Sequence, residues 1–333
     1  MCVVLILSVA LVACGGEGAD TGRVIRIPLG AGGVGFLPLH IMRARGLIED
    51  QAAAMGLNDV SVEWIELGGP SVMNDALLSG SVDFIAAGPP AFLTLWDRTR
   101  GSLDVRGVAA MSALPMYLNV RNNAFADLES IGDTDKIALT AIKVSIPAII
   151  MQMYAAERFG PDQAERFDRF TVSMTHPDGV VAMLSGSGDI SAHFTSPPFH
   201  QRETADPAIT TVMTSDDVMG GTTTFTMLST TAAYHDANAD LVEAVIRALE
   251  VAQQSIAEDS TFAAETLIDA EGNAGLSADE IVGLLADPNI RFSTTPANLM
   301  RYAEFMNSIG SLREAPATWR DLFFEEIHDL PGG

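Results

Sequence analysis

The stretch ALLSGSVDF (Ala76–Phe84) is written a second time, nearly unchanged, as AMLSGSGDI (Ala182–Ile190). Each copy runs on into a proline pair, AAGPPAF (Ala86–Phe92) and FTSPPFH (Phe194–His200). The unit reads as a helix, a glycine stop, an aspartate, a buried strand, and a second helix opened by proline. Gly80 and Gly186 supply the positive φ that ends a helix sharply. Asp83 and Asp189 begin the strands. The next helix follows at once, so its unpaired N–H groups lie at the carboxyl end of a strand. In open α/β sheets ligands bind there, and a helix N-terminus favours an anion or a strong acceptor. Two copies at matching points predict two similar lobes, each presenting such a platform to one cleft.

The rest of the chain fits two α/β units and a helical tail. RVIRIPLG (Arg23–Gly30) reads as a first strand and AGGVGF (Ala31–Phe36) as a glycine-rich turn. Leu37–Leu57 is predicted as one helix, with Pro38 suited to its first turn. VSVEWIEL (Val60–Leu67) alternates as a strand. KIALT (Lys136–Thr140) restarts the pattern, and Ser145 caps a helix running to Gly160. From His235 onward the sequence is mainly helical, Trp319 and LFFEE (Leu322–Glu326) included. Strands alternating with helices argue for α/β lobes with mostly parallel sheets.

The formal charge is −24, spread along the chain without an acidic block. That argues against nucleic acid and anionic lipid as partners, since both need a basic surface. The two cysteines are Cys2 and Cys14, and the two lysines are Lys136 and Lys143. VVLILSVALVAC (Val3–Cys14) has signal-peptide length, is too short to span a membrane, and is followed by the tether GGEGADTG. LVAC (Leu11–Cys14) resembles a bacterial lipobox, in which the chain is cut before the cysteine and that cysteine is lipidated. No Lys or Arg precedes the apolar run, a departure from that pattern.

Lipobox, tether, GAGGVGFLPLHIMRARGLIE, NDALLSGSVDFIAAGPP, THPDGVVAMLSGSGDISAHFTSPPF and the helical tail together resemble the solute-binding proteins of nitrate/sulfonate/taurine-type ABC importers. The resemblance implies a type II periplasmic binding protein fold, two α/β lobes closing on a solute, with a helical C-terminal tail. By that analogy residues 1–13 are a signal peptide and 14–22 a tether lipid-anchored at Cys14. Residues 23–120 plus 225–333 form lobe one, and 121–224 form lobe two. It also implies a monomer on the extracytoplasmic face of a bacterial membrane, handing its solute to a permease and its ATPase. No cofactor and no metal is implied.

Candidate ligand-binding residues sit at strand-to-helix junctions. In lobe one these are Gly33, Val34 and Phe36 of the glycine-rich loop, Gly69 of GGPS, and Gly88 and Pro89 of AAGPP. In lobe two they are Ser145 and Ile146, then His193, Phe194 and Thr195 of AHFTSPP. Tyr117, Gly221 and Thr222 lie at the expected crossings, where hinge freedom explains the glycine equally well. For Ser145 a cap and a ligand contact are both open. For His193 a satisfied structural role and a binding role are both open. Lys143 reads first as a solvated loop lysine and second as a counter-charge for an anion. His176 reads as a cap or turn residue rather than a metal ligand. No cluster has metal-ligand spacing and no phosphate-loop pattern is present.

Two function classes meet these residues. A receptor needs two lobes, backbone donors and hydroxyls, and no catalytic constellation. An enzyme on the same fold, of the thiamine-pyrimidine-synthase or desulfinase type, needs a reactive lysine or a free thiol. A lipidated Cys14 leaves no free thiol in the mature chain, so the receptor is the preferred reading. Its solute is expected to be a sulfonate, nitrate, taurine or related small organic anion. Phe36, Phe194 and Met116–Tyr117 equally suit a flat pyrimidine.

Overall fold

In the computed structural model, which describes residues 22–30, 32–186, 188–271 and 275–333, the strands sort into three sheets. Strand β1 (Arg23–Leu29) pairs in parallel with β2 (Val60–Glu66). Strand β3 (Ile85–Ala87) and β4 (Val105–Ala113) flank β10 (Thr224–Thr231), which runs antiparallel to both. The third sheet has the order β7-β6-β8-β5-β9. It is built from β5 (Tyr117–Arg121), β6 (Ile137–Leu139), β7 (Thr171–Ser173), β8 (Ala192–Thr195) and β9 (Ile209–Thr214). Below, "lobe one" means the part built on the first two sheets and "lobe two" the part built on the third.

The first two sheets are stitched together by the aspartate of the repeated unit. Asp83 and Phe84 donate their backbone N–H groups to Arg26 O at 2.9 and 3.3 Å. Arg26 returns its own N–H to Asp83 Oδ2 at 2.8 Å and its guanidinium to Oδ1 at 2.7 Å. Strand β1 therefore lies beside β3. The alternating pattern of β1 turns Ile25 and Ile27 into the core, where both are fully buried.

The expectation of mostly parallel sheets is corrected by β5 and β10, each antiparallel to both of its neighbours. The reason is geometric. Strands that deliver helices to a cleft must end there, whereas a strand entering from the other lobe must start there. Only three residues, Leu114–Met116, separate β4 from β5.

Helices α1 (Leu37–Arg45) and α2 (Leu47–Ala54) replace the single helix expected over 37–57. Gly46, at φ 62°, breaks the run in the left-handed region. Helices α3 (Pro70–Leu78) and α4 (Pro89–Thr99) complete the first α/β run, and α5 (Ile146–Phe159), α6 (His176–Ser185), α7 (Phe199–Thr204) and α8 (Ser215–Met219) follow in lobe two. The tail comprises α9 (Ala232–Ala237), α10 (Ala239–Glu258), α11 (Ser260–Ala270), α12 (Ala278–Leu285) and α13 (Leu299–Ser308). It returns to lobe one: Asp240 at the start of α10 takes a two-pronged ion pair from Arg23 at 2.6 and 2.7 Å.

The last stretch is not the expected amphipathic helix. It forms two short 3₁₀ turns, Trp319–Leu322 and Glu325–Ile327. Between them Phe324 donates its N–H to Gly107 O at 3.0 Å, covering the free edge of β4. The Phe323 ring occupies the space a side chain at position 107 would need. Edge pairing and burial of two phenylalanines outweigh helix propensity here. Among the described residues no helix is long and apolar enough to cross a membrane. Cys14 and the signal and tether segments lie outside the described residues, save Gly22.

Candidate functional site in the cleft between the lobes

Four helices begin on one cavity of about 640 Å³, two from each lobe. Their N-caps are Gly69 for α3, Gly88 for α4, Ser145 for α5 and Thr175 for α6. All four caps line the cavity. Each helix carries proline in its first turn, where the missing N–H costs nothing and the fixed φ suits the helix. The strand senses explain the convergence. Strands β3 and β6 end at the cleft, at Ala87 and just before Thr140, while β5 and β10 start there, after Met116 and at Phe225.

The caps are closed within the protein. Ser145 Oγ donates to Ala141 O at 2.6 Å and accepts from Ala148 N at 3.4 Å. Thr175 Oγ1 accepts from Asp178 N at 3.3 Å and donates to Asp178 Oδ2 at 2.6 Å. Thr226 Oγ1 donates to Gly35 O at 2.8 Å. The walls are apolar: Phe36, Met73, Met116, Met174 and Phe225 all line the cavity. Soft thioethers and aromatic faces suit an apolar body of variable shape.

Charge in the cavity is sparse. Among the described residues Asp178 is the one acidic residue on its lining, and no Lys or Arg lines it. Residues 1–21, 31, 187 and 272–274 include no Lys or Arg in the sequence. Lys143 is not a cleft counter-charge. Its Nζ pairs with Glu165 at 2.9 Å and approaches Asp168 at 3.9 Å, half exposed, and the Glu165 hydrogen bond raises its pKa. The attraction the cavity offers a negative group comes from four helix N-termini.

The structure brings five of the fourteen expected binding residues onto this lining: Phe36, Gly69, Gly88, Ser145 and Ile146. Gly88 and Ile146 meet across the cleft, so a Cβ on Gly88 would stand 3.0 Å from Ile146 Cδ1. Gly33 and Val34 instead form a bridge between the lobes. Val34 N donates to Pro197 O at 3.2 Å, and Gly33, at φ 65°, packs directly on Pro197 and Pro198. Gly33 N donates to Glu271 Oε1 at 2.9 Å, and burial raises the Glu271 pKa.

The remaining seven do not line the cavity. Pro89 is buried in the first turn of α4. Tyr117 stacks on His200 with ring centroids 3.8 Å apart. His193, Phe194 and Thr195 are fully buried in lobe two. Gly221 and Thr222 lie beyond α8, where Thr222 Oγ1 donates to Asp216 Oδ2 at 3.0 Å. The physical reason is that β8 sits inside its sheet, between β6 and β5, and its proline pair leads to the interlobe bridge rather than to the cavity.

The lobe-two platform is the preceding junction, MTHPDG, at the end of β7. It places Met174, Thr175, His176 and Asp178 on the cavity. The available signal was a capping threonine followed by proline two residues on, the same strand–cap–proline grammar as GGPS and VSIP. Met73 and Phe225 gave no such signal, because an apolar residue beside a cleft looks like core, whereas Met116, expected with Tyr117 as a surface for a flat ring, does line the cavity.

No protein-family model matches the chain, and no curated protein sequence matches it. Solved structures do. The alkanesulfonate-binding protein SsuA from Xanthomonas axonopodis pv. citri, bound to MOPS, aligns at TM-score 0.68 and 16% identity, covering 89% of this chain and 96% of that one. The periplasmic nitrate-binding protein NrtA from Synechocystis PCC 6803 aligns at TM-score 0.60 and 16% identity, covering 79% and 70%. A Candida albicans gene product described as exhibiting the generic periplasmic binding protein structural fold aligns at 0.59 and 15%, covering 89% and 92%. With helix starts of two lobes converging on one cavity, and these likenesses over most of its length, the chain has the periplasmic binding protein fold.

Proposed function

We propose that this protein is the solute-capturing component of an ABC importer, and that its solute is a small organic anion of the sulfonate type with an apolar body. The observation that carries the reading is the convergence of four helix N-termini, two per lobe, on one apolar-walled cavity. Helix starts attract a diffuse negative charge without a cationic side chain, and methionine and phenylalanine walls take the organic part. Similarity to proteins named as alkanesulfonate- and nitrate-binding supports the same class. On this reading the mature chain is anchored by lipid at Cys14 outside the cytoplasm, acts as a monomer, and passes its solute to a permease driven by an ATPase.

Capture works by closure. The part built on the first two sheets and the part built on the third move as lobes about the short crossings Leu114–Met116 and Gly220–Thr223, which puts the first boundary just before β5 rather than after residue 120. A solute that touches helix starts of both lobes is bound better by the closed arrangement and so selects it. The placement of both lysines supports a receptor over a lysine-dependent enzyme. Lys136 Nζ donates to Arg169 O at 3.3 Å, Lys143 pairs with Glu165, and neither lines the cavity.

The test is a thermal-shift screen of the chain from Gly15 onward with alkyl and aryl sulfonates, taurine, nitrate, carboxylates and pyrimidines. A solute at a hundred times its Kd stabilises the folded state by about 2.7 kcal/mol. Small-angle scattering should then show a smaller radius of gyration with the same solute. Chemical conversion of any panel member overturns the receptor reading, and stabilisation by pyrimidines alone overturns the anion class.

A further inference from the structure

A chain of buried polar side chains runs through the interior of lobe two and reaches the cleft at His176. His176, in the first turn of α6, lines the cavity and is otherwise buried. Its Nδ1 lies 3.0 Å from His193 Nε2, and His193 Nδ1 lies 2.6 Å from Glu203 Oε1. His193 and Glu203 are fully buried. Room for this chain is built in: a Cβ on Gly179 would stand 2.5–2.8 Å from the His193 ring atoms. The His176 ring stacks on Phe199 at 5.4 Å. Its Nε2 has no hydrogen-bond partner among the described residues, so this nitrogen is left for a solute.

The far end of the chain is fixed by Asn119. Thr211 Oγ1 donates to Asn119 Oδ1 at 2.8 Å, and His200 Nδ1 reaches the same oxygen at 3.2 Å. An amide oxygen holding two donors turns its NH₂ to the carboxylate, and Asn119 Nδ2 donates to Glu203 Oε2 at 2.8 Å. Glu203 Oε2 is thus an acceptor. A proton held by the pair must lie between Oε1 and His193 Nδ1.

Counting hydrogens along the chain leaves two arrangements. With Glu203 ionised and His193 neutral, His193 carries its hydrogen on Nδ1 and accepts at Nε2 from His176 Nδ1–H. His176 Nε2 then faces the solute as a bare acceptor. With one more proton on the Glu203–His193 pair, His193 donates from Nε2 to His176 Nδ1, and His176 carries its hydrogen on Nε2. The second arrangement has no net charge in the core, which burial favours.

We propose that His176 contacts the solute, and that one proton held by the buried Glu203–His193 pair decides whether it donates or accepts, so that an anionic solute binds with uptake of that proton. The inference rests on the receptor reading above. His176 itself stays neutral, because burial and the neighbouring His193 hold its pKa well below the usual imidazole range. The other titratable groups near the chain are His200, Tyr117, Asp178 and Arg121. Burial pushes His200 down to about 4 and its stacking partner Tyr117 up to about 12. Asp178 on α6 is bonded to Thr175, and Arg121 on β5 is ion-paired with Asp206 at 2.9 Å.

The discriminating variant is Glu203→Gln. Its amide oxygen accepts from Asn119 and its NH₂ donates to His193 Nδ1, which places a hydrogen on Nε2 of both histidines with no proton from solvent. Long-range proton–nitrogen NMR on the solute-free protein between pH 5 and 9 reads the tautomers directly. The expected result is a His176 switch from Nδ1–H to Nε2–H as pH falls, with no imidazolium form, and Nε2–H at every pH in Glu203→Gln. A single His176 tautomer across the range in the unmodified protein overturns the proposal. Calorimetry with 1-butanesulfonate, an anion throughout this range, in phosphate and in Tris reads the coupling. The expected result is uptake approaching one proton above the switch, with affinity falling tenfold per pH unit there, and neither in Glu203→Gln. Binding with buffer-independent heat overturns the coupling. Absence of butanesulfonate binding at every pH, with the tautomer switch intact, overturns the sulfonate reading instead.

Discussion

Gly88 and Ile146 touch across the cleft: the first caps α4 in lobe one and the second opens α5 in lobe two, and the glycine leaves 3.0 Å between a would-be Cβ and Ile146 Cδ1. The backbone at Gly88 is extended, at φ −75° and ψ 159°, so alanine is conformationally acceptable there. The conflict lies with the other lobe, and with Phe225 O at 3.1 Å. Gly88→Ala is therefore expected to hold the lobes apart rather than unfold either one. The Kd for a captured sulfonate should rise about tenfold, matching about 1.4 kcal/mol of lost closure, while the melting temperature without solute stays within about 2 °C. Ile146→Ala in the same chain should recover much of the loss, and calorimetry on the four members of that cycle measures the coupling.

Asp83 has a structural task that its sequence position concealed. Its carboxylate accepts from the backbone and the guanidinium of Arg26 and is nearly buried. Asp83→Ala leaves the Arg26 N–H without its partner and opens the seam between β1 and β3. A loss of about 2–3 kcal/mol is expected, the range for hydrogen bonds to a charged group. Denaturant midpoints check it. Asp83→Asn keeps an acceptor and should recover part of the loss.

The repeated unit made the two lobes legible, because helix stop, strand and proline-opened helix are local grammar. Strand and helix positions such as Arg23–Leu29 and Ile146–Phe159 followed from period and capping alone. What the grammar does not contain is which strand ends face the same cavity. The unit at Ala182–Ile190 pointed to β8, yet β8 is held between β6 and β5, and the lobe-two platform is the end of β7. Sheet order is a tertiary property, so His176 read as a cap while His193, one layer behind it, read as a contact. The tail failed for a similar reason: nothing local in LFFEE reveals that Gly107, two hundred residues earlier, offers it a sheet edge.

Lys143 provides a direct check on where the cleft gets its attraction for anions. Lys143→Gln removes a half-exposed charge already held by Glu165. If the helix N-termini supply the field, the Kd for a sulfonate should change less than twofold at physiological salt, where exposed charges are screened over about 8 Å. A tenfold weakening by calorimetry would move the counter-charge back to this lysine.

His235 should make the docking of the tail depend on pH. Its ring lies flat on Phe324, with centroids 3.9 Å apart, and its nitrogens face Asp236 at 3.0 Å and Glu326 at 2.7 Å. Burial lowers its pKa, but the hydrogen bonds and charges of the two carboxylates outweigh burial and leave it raised. A raised folded-state value means the protonated form is bound more tightly when folded. The stabilisation is then fully present below the ordinary histidine pKa of about 6.5 and is lost as pH rises through the folded-state value. The melting temperature should thus decline on going from mildly acidic to alkaline buffer, and His235→Gln, which cannot become charged, should flatten that decline. The same decline in both proteins would show that another group carries it. The protection factor of the Phe324 N–H, which bonds to Gly107 O, should fall over the same pH range in the unmodified protein and hold steady in His235→Gln, if the charge on His235 helps to keep the tail on the β4 edge.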